Sequence, residues 1–128
     1  MVKEKDLTPL PLLSIITPCL NRAAFIDRAM ESVTRQDYTH VEHLIMDGGS
    51  TDGTLNLLSA YPHLRVVSEP DRGVYDGLNK GILLSKGEII GQLNTDDYYQ
   101  PNIFKRIVDL FEENPDVDAI CGSARVFE

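Results

Sequence analysis

The chain has 128 residues, 42% of them apolar and 25% charged, which fits one globular domain built around one core. Twenty acidic side chains against twelve basic ones leave a formal charge of −8, which speaks against binding to a DNA or RNA backbone. No apolar run approaches the roughly 20 residues that span a bilayer, and the charged start Met1-Val2-Lys3-Glu4-Lys5-Asp6 lacks the apolar stretch of a signal peptide. A cytoplasmic location is the default that follows, and Cys19 and Cys121 are expected there as free thiols.

After a tail over 1–11, strand-type and helix-type patterns alternate through a single domain over 12–128. Leu12 to Thr17 is a continuous apolar strand. Ala23 to Arg35 carries Phe25, Ile26, Ala29, Met30 and Val33 at helical spacing. Val41 to Met46 reads as the second strand, and Thr54 to Ala60 as a short helix with Asp52 as its expected N-cap. Leu64 to Ser68 is a third strand and Val74 to Leu84 a helix stopped by Lys86-Gly87. Glu88 to Leu93 makes a fourth strand, and Pro101 to Glu113 a helix with proline in its first turn. Val117 to Cys121 is expected as a fifth. The pattern predicts an α/β fold, a mostly parallel sheet of about five strands with helices on both faces. The last residues, Ala124 to Glu128, look like a strand cut off mid-element, as in a fragment of a longer protein.

Ligands of an open α/β sheet sit beyond the carboxyl ends of its strands, and polar clusters fall at those ends here. Thr17-Pro18-Cys19-Leu20-Asn21-Arg22 follows the first strand. Asn21 and Arg22 there are either cleft-rim donors or parts of an ordinary loop in which Asn21 caps the next helix. Asp47-Gly48-Gly49-Ser50 follows the second, where Asp47 either accepts a hydrogen bond from the ring N–H of uracil or caps a glycine turn. Asp71-Arg72-Gly73 is either a guanidinium aimed at a base or phosphate, or a solvated turn. Asp76, Asn79 and Lys80 read as a solvated helix face. His40 and His43 are expected on opposite faces of the second strand and toward solvent, which rules out a shared metal.

Asp96-Asp97 is the most informative pair. Adjacent carboxylates at the mouth of a buried strand raise each other's pKa, and solvent or a bound divalent cation relieves that cost. A cation would also neutralise a diphosphate, which is one way for an acidic protein to take an anionic ligand. The competing reading, an acidic first turn of a helix, sits poorly with Tyr98, Tyr99 and Gln100 intervening before Pro101. No Gly-x-Gly-x-x-Gly, Walker loop or nucleophile elbow is present.

Together the stretches Ser14-Ile15-Ile16-Thr17-Pro18 with Asn21, Asp47 to Thr54, Glu69 to Asp76, Asn79-Lys80-Gly81, and Lys86 to Ile90 leading to Asn94-Thr95-Asp96-Asp97 resemble family 2 glycosyltransferases of the GT-A fold, in their nucleotide-sugar-binding part. The resemblance implies transfer of a sugar from a UDP-sugar to an acceptor hydroxyl with inversion. It implies that Thr17, Pro18, Asn21, Asp47, Arg72 and Asp96 meet the nucleotide, with Asp47 on the uracil ring and Asp96 on the ribose side. Asp97, with Asp96, would hold Mn²⁺ or Mg²⁺. The family's acceptor half and catalytic base would lie past the last residue, so no base is named. The acceptor is expected to be a glycan or lipid-linked molecule, which allows a peripheral place at the inner membrane, and an exposed sheet edge allows a homodimer. Many family members carry an acidic residue where Asn94 stands and a second Asp where Gly48 stands. A non-catalytic nucleotide-binding or interaction module of the same half-fold is the alternative.

Overall fold

The run Leu13–Cys19 forms β1, and all seven of its residues are buried. A strand covered on both edges and both faces has no solvent side, which is why it reads as unbroken apolar sequence. In this computed structural model, which describes residues 10–126, the order is β1, α1 (Ile26–Thr34), β2 (Val41–Asp47), α2 (Thr54–Leu58), β3 (Leu64–Ser68), α3 (Val74–Leu84), β4 (Ile89–Gln92) and α4 (Ile103–Glu113). The strands line up as β3-β2-β1-β4, every neighbouring pair parallel. The expected fifth strand is not formed: among the described residues the sheet has four, and 117–121 run as an irregular, mostly exposed segment. A strand exists through its pairing, and alternation alone supplies no partner. Residues 1–9 of the expected tail and the last two of the terminal pattern lie outside the described residues.

Helices cover both faces. On one, α1 turns Ile26, Ala29, Met30 and Val33 inward at i, i+3, i+4, i+7. It meets Leu13, Ile15 and Ile45 together with Phe104 and Val108 of α4. On the other, α3 brings Leu78 and Leu84 against Ile16, Leu44 and Met46. The backbone of α3 lies close on the sheet, because a Cβ at Gly81 would come within 2.4 Å of Ile16 Cγ2 and 3.1 Å of Met46 Cγ.

Two helix starts are capped in ways the local sequence does not announce. Gly53, at φ 92°, holds the cap position of α2, while Asp52 Oδ1 accepts from the Thr54 N–H at 3.0 Å from one residue further out. Asn102 at the start of α4 sits at φ 61° with no side-chain cap of its own. Gln36, just past α1, supplies that cap: its Oε1 accepts from the N–H groups of Ile103 (3.0 Å) and Phe104 (3.1 Å).

The histidine expectation is corrected for one of the two. His40 is exposed, but His43 is buried, 1% accessible. On β2 it points the same way as Ile45, into the larger core, where its Nε2 lies 2.8 Å from the Thr17 hydroxyl.

Gly81→Ala is expected to lower unfolding free energy by about 1–3 kcal/mol, the usual cost of overpacking. Gly122→Ala, with nothing within 4 Å of the added carbon, should stay within roughly 0.5 kcal/mol. Urea unfolding of both variants measures the contrast.

Candidate functional site

The order β3-β2-β1-β4 reverses at β1: the chain first builds outward to β2 and β3, then returns to lay β4 on the other side. Loops leaving β1 and β4 therefore diverge and open a crevice at their carboxyl ends. A cleft of about 340 Å³ lies there. Pro18, Leu20 and Arg22 line it from β1, Asp71 and Val74 from the approach to α3, and Asn94 and Asp96 from β4.

The rim is laced together by short polar side chains. Asn21, at φ 52°, donates its N–H to Ser50 Oγ and accepts from the Thr51 N–H on Oδ1, both at 2.8 Å. Arg22 donates its N–H to Thr54 Oγ1 at 3.0 Å, and Ala23 to Asp52 Oδ2 at 3.1 Å. Asn21 thus ties the β1 loop to the β2 loop, while α1 begins five residues further on without it.

Asp47 is 1% accessible. Its Oδ2 accepts from the N–H groups of Gly49 (3.0 Å) and Ser50 (2.9 Å) and from Ser68 Oγ (2.7 Å), and its Oδ1 from Ser50 Oγ (2.5 Å). Burial alone would raise its pKa, but these bonds outweigh it and hold the carboxyl below its ordinary value. Thr17 is likewise inaccessible, its hydroxyl committed to His43. Asp47 thus caps its glycine turn, one of the two roles its position allowed, and neither it nor Thr17 is among the residues that line the cleft. Pro18 and Asp96 do line it. Arg72 is exposed outside the lining residues, and its backbone N–H donates to Asp76 Oδ2 at 2.9 Å.

Within the Asp71-Arg72-Gly73 stretch it is Asp71, rather than Arg72, that lines the cleft. Its Oδ1 accepts from the Gly73 N–H at 2.9 Å. A Cβ at Gly48 would stand 2.9 Å from each of its carboxylate oxygens. Gly48 is small because Asp71, 23 positions on in sequence, occupies the space a side chain there would need. Cys19 and Thr95, given no role of their own by the sequence, also line the cleft. Burial, then the nearby Asp47 and Asp52 charges, push the Cys19 thiol up to about 12.

Asp96 and Asp97 are both exposed on the turn after β4, closed by the Asp97 N–H bonding to the Asn94 carbonyl at 3.1 Å. Neither carboxylate is engaged by another described group. Among the described residues no set of three or more His, Cys, Asp or Glu side chains converges as a complete metal cage. Mg²⁺ and Mn²⁺ do not need one: such hard ions take one or two carboxylates and fill their shell with water and substrate phosphates. Two adjacent unengaged carboxylates, one of them lining the cleft, fit that donor set.

The sequence model for glycosyl transferase family 2 matches residues 14–128. Over 117 residues the chain is 33% identical to the chondroitin synthase of Escherichia coli, covering 88% of this chain and 17% of that protein. Its fold matches Staphylococcus aureus TarS 1–349, solved with UDP-GlcNAc, at a TM-score of 0.78 and 24% identity over 81% of this chain and 32% of that one. The mannosyltransferase PcManGT of Pyrobaculum calidifontis, solved with GDP-Man and Mn²⁺, matches at a TM-score of 0.64 and 29% identity over 72% of this chain and 29% of that one. The chain thus spans under a third of the length of each of these.

Two titrations follow from the burial behind the cleft. Burial, and then the nearby His63, hold the His43 ring down to about 3, whereas an unfolded histidine titrates near 6.5. The unfolded chain takes up the extra proton between those values, so stability should fall as pH drops from about 6.5, by up to roughly 1.4 kcal/mol per pH unit. Urea midpoints between pH 7 and pH 5, above the carboxylate range, should show this slope, and His43→Gln should flatten it. At pH 8 iodoacetamide should label exposed Cys121 and spare Cys19, as peptide mass spectrometry would read.

Proposed function

The chain belongs to glycosyl transferase family 2, and on that footing we propose that the β1–β4 crevice takes the nucleoside diphosphate of an activated sugar, as the donor-binding part of an inverting, metal-dependent glycosyltransferase. The observation that carries this reading is a pair of unengaged carboxylates in an acidic chain, Asp96 in the cleft lining and Asp97 on the same exposed turn directly after it.

In this reading Asp97, with Asp96, holds Mn²⁺ or Mg²⁺, and Asp96 also meets the ribose side of the nucleotide. The ion supplies Lewis-acid charge that offsets the diphosphate as it leaves. Pro18 gives the base a rigid wall, and Arg22 brings a cationic group into the cleft. Asp47 contributes by holding the loop that packs beside Asp71, and Thr17 through its backbone position. Asn21 keeps the two rim loops in register, and Arg72 stands ready outside the lining. An acceptor hydroxyl attacks the anomeric carbon from the side opposite the diphosphate, the carbon–oxygen bond to phosphate breaks, and configuration inverts. The hydroxyl proton passes to a carboxylate base, a role given to no described residue.

UDP is the proposed nucleotide on the strength of the motif resemblance, and a growing glycan the proposed acceptor on the likeness to a polysaccharide synthase. No described helix is long and apolar enough to cross a membrane. A cytoplasmic place, peripheral to the inner membrane, suits a donor made inside the cell.

Calorimetric titration of UDP and of GDP into the chain, with Mn²⁺ and then with EDTA, tests the reading. UDP should bind with Mn²⁺ at least tenfold more tightly than GDP, and both EDTA and Asp97→Ala should weaken that binding tenfold or more, to what the base pocket alone supplies. Tighter GDP binding would overturn the uridine assignment, and binding indifferent to Mn²⁺ and to Asp97 would overturn the metal site.

A further inference from the structure

The Asp96–Asp97 turn is held mainly from its two ends. On the upstream side, the Leu93 N–H bonds to the Ile16 carbonyl at 3.0 Å, which fixes the exit of β4 to β1. On the downstream side the chain runs into 98–104, and what grips it there comes from α1. Arg28, Ser32 and Gln36 stand four residues apart, on one ridge of that helix and its exit.

Each engages the segment in a different way. The Arg28 guanidinium lies 4.2 Å from the centre of the Tyr98 ring, the residue directly after the pair. Ser32 Oγ accepts from the Tyr99 N–H at 3.2 Å while donating to the Ala29 carbonyl. Gln36, 7% accessible, donates through Nε2 to the Gln100 carbonyl at 2.8 Å, and its Oε1 caps α4 at Ile103 and Phe104. Tyr99 closes the grip, its hydroxyl donating to the Gln92 carbonyl at 2.8 Å and its ring edge-on to Phe104 at 5.0 Å.

We propose that Arg28, Ser32 and Gln36 are positioning residues for the divalent cation: by clamping 98–104 they hold the Asp96–Asp97 turn at the cleft mouth and thereby set cation affinity. The inference rests on the donor-site reading above. Its physical basis is that two like charges on an exposed turn drift apart unless the backbone beneath them is fixed. A metal site loses affinity when the groups orienting its ligands are removed, typically by 10–100-fold. Arg28 has a second effect: its charge sits beside Tyr98 rather than on a carboxylate, so it orders the turn without competing with the cation for Asp96 or Asp97.

A purely structural role for the ridge predicts something different, a general loosening of the domain. Paramagnetic resonance of free Mn²⁺ in the presence of UDP measures cation affinity, and uridine titration in EDTA measures the base pocket separately. In Arg28→Met and Gln36→Met, Mn²⁺ affinity should fall tenfold or more while uridine affinity stays within twofold. Arg28→Lys should recover most of the loss, since a lysine ammonium also sits well over an aromatic ring. Melting by circular dichroism shows which variants are folded, and the exposed Arg28 site keeps the test open should Gln36→Met unfold. Unchanged Mn²⁺ affinity in a folded Arg28→Met, with wild type binding and Asp97→Ala not, overturns the ridge and leaves the donor site standing. Parallel losses of uridine and Mn²⁺ affinity overturn it in favour of general loosening. Equal Mn²⁺ affinity in wild type and Asp97→Ala removes the donor site and the ridge together.

Discussion

Complete burial of β1 is the constraint on which the rest of this structure depends. With strands on both edges and helices on both faces, all seven of its residues are buried and only its carboxyl end borders the cleft, so its two hydroxyl side chains must find partners inside. Ser14 donates to Glu42 on β2 and accepts from the Gly87 N–H ahead of β4. Thr17 pairs with His43 on β2. These contacts pin β1 to the neighbouring strand at two levels, and Ser14 ties it to the approach of β4 as well. The crevice at the carboxyl ends of β1 and β4 has a fixed floor for that reason. Buried polar groups left unpaired cost more than the bonds they make, so the same pairs that permit burial also define register.

The charge pattern of the cleft follows from how each acid is engaged. Asp47 is surrounded by donors and held ionised inside the protein. Asp52 binds the start of α2 and the N–H of Ala23. Asp76 takes the Arg72 N–H and faces Lys80, which also pairs with Glu69 at 3.2 Å. Asp96 and Asp97 stand apart from this economy of donors, open at the mouth. An acidic protein that keeps two carboxylates unengaged next to a cleft is poor at holding an anion alone and well suited to holding one together with a divalent ion.

Helix α1 links these two parts. Its apolar stripe completes the larger core, and its polar ridge reaches across to the segment after the acidic pair. Core packing on one side of the helix and turn placement on the other are thereby coupled. A change that shifts α1 against the sheet would be felt at the cleft mouth.

Much of this was legible in the sequence because it is local. Largely apolar runs mark β1 and β2, the spacing of Ile26, Ala29, Met30 and Val33 marks α1, and the polar clusters fall at strand ends where a parallel sheet must place its loops. Asp96-Asp97 could be singled out because two adjacent carboxylates after an apolar run are unusual on physical grounds alone, although the strand before them proved to be a half-exposed edge. Other features were decided only by tertiary contact. Whether Val117–Cys121 became a strand depended on a partner edge that no local pattern encodes. His43 reads as a surface residue until Thr17, 26 positions earlier, arrives beside it. Asp47 reads equally as a ligand acceptor and as a turn cap until Ser50 and Ser68 close on it, and Gly48 reads as a mere turn glycine until Asp71 fills the space beside it. Gln36 caps a helix 67 residues away. Sequence periodicity reports which side of an element is apolar. Which polar group meets which is fixed only when packing brings distant segments within hydrogen-bond reach.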